Sequence, residues 1–174
     1  MRQQATAQQG WALDGVLAGV VGTVAMDLVT WKLYRKESAK AYRQEKRAQV
    51  DGKYVAHVAA RKAARLAGKQ LEGRRLYAAG KLVHFLFGIG PALAYGALRR
   101  RFPWVRAGGG LLYGLGVYLF LDELVAPLLG LASGPTRYPW QAHARGLAGH
   151  LTLGATLEAT FQALAEEKRL AAQG

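Results

Sequence analysis

The 174-residue chain predicts an all-α fold: a four-helix transmembrane bundle with a basic helical segment outside the lipid between spans one and two. Three observations predict it. Apolar, Gly-rich runs about as long as a bilayer is thick recur along the chain and are followed by basic residues. The composition, 51% apolar with 22 Gly, suits a small helical membrane bundle better than a soluble domain of this length. The positive charge is concentrated: residues 32–81 hold 15 of the 24 Lys and Arg against four acids, so about +11 of the formal +13 lies in one segment. A soluble all-α protein is the alternative, but its helices would not be apolar nearly all round.

Span one covers about residues 11–31, where ALDGVLAGVVGTVAMDLVT is bracketed by Trp11 and Trp31, rings that suit the membrane–water interface. Gly15-x3-Gly19 and Ala18-x3-Gly22 put small residues on one helical face, which permits close approach of a neighbouring helix. The positive cluster follows this run instead of preceding it, so the run reads as a retained span and not as a signal peptide. Residues 36–75 are rich in Ala, Lys, Arg, Gln and Glu, with a break at Asp51-Gly52. Their apolar stripe (Val55, Val58, Ala59, Leu66, Leu71) is thin, which predicts two surface-lying or solvated helices and no second core.

Span two, about 76–98, carries Pro91 at its middle, where a kink is expected, and stops at Arg99, Arg100, Arg101 and Pro103. Span three, about 107–131, opens with Gly110-x3-Gly114; span four, about 145–165, is the least hydrophobic. The short connections between spans two, three and four make these neighbours antiparallel.

The absence of Cys excludes disulfides, thiolate chemistry and Cys-ligated metals. A pI near 10.3 would draw a soluble protein to nucleic acid, but the basic segment carries no reading motif. Beside a membrane span, its charge fixes topology and meets anionic headgroups, with Lys32, Arg35, Lys36, Arg74, Arg75 and Lys81 as the headgroup contacts. The first and third connections carry 17 Lys and Arg against seven elsewhere, which puts the basic segment in the cytoplasm and both termini outside.

Each apolar run carries ionisable residues. At about 1.5 Å per residue, Asp27 lies roughly 7 Å inside Trp31, His150 a similar distance inside Arg145, His84 about 5 Å inside Lys81, and Asp122 and Glu123 roughly 12 Å inside Leu131. Four helices thus bring charge to one half of the bilayer, with Glu158 two turns beyond His150. Such residues are costly by at least ~2.5 kcal/mol each, face the bundle interior and mark sites or paths. Asp27, His84, Asp122, Glu123, His150 and Glu158 are therefore the candidate proton- or cation-binding residues of a small transporter or channel.

Asp27, His84, Asp122, Glu123 and His150 also make a mixed N/O set that suits a divalent metal (Zn²⁺, Mn²⁺ or Fe²⁺), as in a metal-centred membrane enzyme, although no metal-ligand spacing supports it. A b-type haem between His84 and His150 is disfavoured by the carboxylates around them. A third reading makes them satisfied pairs, Asp27 with His84 and Asp122 or Glu123 with His150, holding helices in register in an accessory subunit. His57 reads as solvated, His143 as an interfacial turn residue, and Tyr118, one turn from Asp122, as a hydrogen-bond donor to it.

Three segments, residues 15–27 (GVLAGVVGTVAMD), the run from Asp122-Glu123 through Pro127 to Gly130-Leu131, and residues 139–158 (PWQAHARGLAGHLTLGATLE), resemble the YagU-like family of small predicted bacterial inner-membrane proteins. That resemblance implies an integral protein of the bacterial inner membrane and carries no catalytic residue across. The assembly expected of such a bundle stays open between a single chain, a homo-oligomer and a larger membrane complex. The basic segment at 36–75 departs from the family pattern.

Overall fold

The computed structural model describes residues 2–173, and they are helical nearly throughout. Helix α1 spans Arg2–Tyr34, α2 Ala39–Ala48, α3 Val55–Leu66 and α4 Gly73–Arg101. A 3-10 stretch, Pro103–Gly110, leads into α5, Leu111–Val117, which widens into a π-helix over Tyr118–Val125 and ends in the short α6, Ala126–Leu128. Helix α7, Trp140–Ala171, closes the chain. The break expected at Asp51-Gly52 is a 3-10 turn, Val50–Gly52, with Asp51 at φ +51°.

Three helical segments are long and apolar enough to cross a membrane, Gly10–Tyr34, Gly73–Arg101 and Pro103–Leu128. By length and composition this is compatible with a multi-pass membrane protein. The expected fourth span forms a long helix but does not share their apolar character, and its position explains why. Helix α7 is antiparallel to both α1 and α5 and buries Gly149, His150, Leu153, Gly154, Leu157, Glu158 and Phe161. Wrapped by protein, it keeps polar residues that a lipid-facing helix could not. Leu13, Leu17, Val21, Val24 and Leu28 of α1, Leu82 and Leu86 of α4, and Leu119, Phe120 and Leu124 of the π-helix face outward instead.

Small residues set the helix spacing. A Cβ on Gly15 or Gly19 would come within 2.8 Å of Leu93 or 2.7 Å of Ile89 on α4, and one on Gly22 within 2.7 Å of Leu153 on α7. Gly110 and Gly114 lie against the backbone of Gly154 and His150. Around these contacts Ala18, Ala92, Tyr95, Val105, Leu153, Leu157 and Phe161 form the core. Helix α4 runs unbroken through Pro91, whose carbonyl accepts the Tyr113 hydroxyl at 2.7 Å.

The basic segment differs from the expectation of solvated helices. It folds back over one end of the bundle, and α3 packs along the start of α4 with Ala56, Val58 and Ala60 buried, while Leu66 stays exposed. Glu37 and Glu45 both bind Arg145 of α7, Glu45 at 2.8 Å, so the acids of the segment anchor it to the bundle together with the packing of α3 on α4.

Candidate functional site

Beneath α2 and α3, between α1, α4, the π-helix and α7, lies a cavity of about 760 Å³. Antiparallel packing brings the end of α1, the start of α4, the end of the Pro103–Leu128 segment and the start of α7 to this one level. Five of the six predicted residues therefore line it: Asp27, His84, Asp122, Glu123 and His150. His57 and His143 line it too, so all four histidines of the chain meet here.

The titratable groups form discrete contacts. Asp27 Oδ1 accepts from His84 Nε2 at 2.9 Å, which fixes the proton on that nitrogen, since a carboxylate only accepts. Glu123 Oε1 accepts from His143 Nδ1 at 2.6 Å and from the Tyr118 hydroxyl, while His143 Nε2 faces the Pro135 carbonyl at 3.0 Å. Both nitrogens of His143 thus point at acceptors, an arrangement that the doubly protonated ring satisfies. His150 Nδ1 donates to the Gly146 carbonyl at 2.9 Å and stands 3.7 Å from Asp122 Oδ2, outside hydrogen-bond range. Asp122 keeps 45% of its side-chain surface accessible and Asp27 43%, so both remain reachable from the cavity.

The partner of Tyr118 is Glu123, five residues on, and not Asp122. The reason is the π-helix, whose i→i+5 hydrogen bonds bring residues five apart onto one face; such widenings recur at functional sites. Pro127 has no N–H to close onto the Glu123 carbonyl and crowds it, which favours the wider winding just before it.

His57 is half-buried, not solvated. Its ring lies on Gly80 of α4, where a Cβ would overlap it, and its Nδ1 is buried without a hydrogen-bond partner. Burial first, then the charges of Lys81, Lys53 and His84, hold its pKa below the ordinary value. Its only signal in the sequence is a histidine in a weakly apolar helix, which says nothing about what covers it.

Glu158 stands apart, toward the opposite end. It accepts from Tyr95 at 2.6 Å, Arg99 at 3.0 Å, Arg106 at 3.0 Å and Gln162 at 2.7 Å. Its acceptors are spent on the protein. Nor do the cavity residues converge as metal ligands: among the described residues, no three His, Asp or Glu side chains gather closely enough to hold a metal ion. The mixed N/O set of Asp27, His84, Asp122, Glu123 and His150 is resolved into pairs instead, because each carboxylate meets at most one imidazole.

No curated protein and no solved structure matches the chain. Residues 44–159, from α2 into α7, match a protein family of unknown function, DUF1440. That range holds all of these titratable cavity residues except Asp27, and two of the three segments behind the YagU-like resemblance. The match covers well over half of the chain, which belongs to this family, DUF1440.

Proposed function

We propose that the chain is a four-span protein of the bacterial inner membrane, with α7 as its central span and the basic segment in the cytoplasm, and that its cavity binds protons or a cation for transport. The observation that carries the reading is the gathering of all four histidines with Asp27, Asp122 and Glu123 around one accessible space. Imidazoles and carboxylates that face one accessible space, with few protein partners, can take up and release charge. The Tyr118–Glu123–His143 cluster supports it further, since an imidazolium there has an acceptor on each nitrogen.

Reconstitution in liposomes with a lumenal pH dye tests the reading. A cation or proton flux that falls on Asp122→Asn and on His150→Ala is the expected result; vesicles with protein as tight as vesicles without it would end the proposal.

The direct Asp27–His84 bond favours a second reading, an accessory subunit whose buried pairs hold helices in register. On that reading Asp27→Asn lowers the thermal midpoint and no variant alters flux or ion binding.

A further inference from the structure

We infer that the cavity takes an organic ammonium ion with an apolar body, a monocationic amphiphilic amine, and not a bare inorganic cation. The inference rests on the cation-site reading above and names its ligand class. About 760 Å³ is far more than a single ion needs and falls within the roughly 300–1,000 Å³ of small-molecule sites. The walls match such a body: Met26, Trp31, Phe87 and Leu153 are apolar or aromatic, and aromatic faces attract cations.

Two acceptors are left for the head group. Asp122 receives no hydrogen bond among the described residues; His150 Nδ1, 3.7 Å away, is committed to the Gly146 carbonyl. Glu45 has a side chain only 6% exposed, gives Oε1 to Arg145, and leaves Oε2 buried without a donor. The N–H groups of an amine supply what these oxygens lack. A small divalent ion would want several carboxylates at once, and no such convergence exists among the described residues. Lys53, Lys81 and Arg145 also line the cavity, so a second positive charge on the ligand would be repelled.

Equilibrium dialysis of 2-phenylethylamine against the full chain in detergent micelles tests this, with 2-phenylethanol as the uncharged analogue. Saturable binding of the amine but not of the alcohol is expected, with affinity reduced about tenfold to a hundredfold in Asp122→Asn and retained in Asp122→Glu and in the surface variant Glu166→Gln. Circular dichroism and the thermal midpoint establish that each variant is folded. Equal binding of amine and alcohol, or amine binding unchanged in both Asp122→Asn and Glu45→Gln, overturns the inference. Absence of amine binding alongside Asp122-dependent uptake of protons or potassium overturns it while leaving the cation-site reading in place; absence of both removes the two together.

Discussion

Gly114→Ala should be one of the more damaging single-methyl changes in the chain, and its cost can be worked from the contact it breaks. Gly114 lies on α5 directly against α7, where an added Cβ would be 3.0 Å from the His150 carbonyl carbon and 3.2 Å from the Leu151 Cα, and would overlap the His150 oxygen. These are backbone atoms, so no rotamer change relieves the clash. The two helices would have to part by about 1 Å to restore ordinary contact, loosening the neighbouring approach of Gly110 to Gly154. Overpacking of this kind costs about 1–3 kcal/mol, or about 2–12 °C in thermal midpoint for a chain of this size. Gly116, two residues on, has nothing within 4 Å of the point where a Cβ would stand, so Gly116→Ala should be neutral or stabilising by up to about 1 kcal/mol through helix propensity. Thermal unfolding of both variants in the same detergent, followed by circular dichroism, makes the comparison. A Gly114→Ala midpoint equal to that of Gly116→Ala would refute the claim that backbone contact sets the α5–α7 spacing.

Other consequences are equally direct. Glu158→Gln removes the charge that holds Arg99, whose side chain is 16% exposed, and should cost about 3–5 kcal/mol in thermal unfolding, with little of that from the half-exposed Arg106. Arg145→Gln strips Glu37 and Glu45 of their shared partner, so trypsin should cleave at Lys40, Arg43 and Arg47 of α2 faster than in the unmodified chain. His57 has a lowered folded-state pKa, so the unfolded chain binds its proton first. Its contribution to stability is in place above the ordinary value of 6.5 and is lost as pH falls below it. His57→Asn should therefore flatten the acid limb of a plot of thermal midpoint against pH. Replacing Lys32, Arg35, Lys36, Arg74, Arg75 and Lys81 together by Gln should give mixed topology in a reporter-fusion assay, whereas a single unchanged orientation would contradict the cytoplasmic assignment of the basic segment.

What could be read before the fold was known depended on counting along single helices. The depths of Asp27, His84, Asp122, Glu123 and His150 follow from residue number and rise, and antiparallel packing turns equal depth into one cavity. The small-residue faces of α1 and α5 were legible for the same reason, since spacing alone aligns them. What was not legible depends on contacts between distant segments. Arg145 meets Glu37 and Glu45 about a hundred residues away, and that clamp carries α2 and α3 over the cavity. Burial of His57 comes from packing of α3 on Gly80 of α4, and nothing in residues 55–66 announces it. The shift of Tyr118 from Asp122 to Glu123 comes from a change of helix type, which an assumed α-helical period cannot register. Helix α7 looked like a weak span because hydropathy measures fitness for lipid, and this helix is surrounded mostly by protein.

The two ends of the bundle treat their carboxylates in opposite ways. At one end Glu158 is 3% exposed and receives donors from Tyr95, Arg99, Arg106 and Gln162, two of them permanently charged. Protonating such a group, or offering it a cation, would break several charge-assisted bonds with nothing to replace them, so it acts as a fixed brace between α4, the 3-10 stretch and α7. At the other end Asp27 has one imidazole, Asp122 has none within hydrogen-bond distance, and both carboxylates are more than two-fifths accessible. The groups beside them are the imidazoles of His84 and His150, and not arginines. On the proposed reading, a proton or cation entering there would displace at most one imidazole. The same residue types are thus fully bonded where arginines and a tyrosine surround them and keep acceptor capacity where histidines and a cavity do.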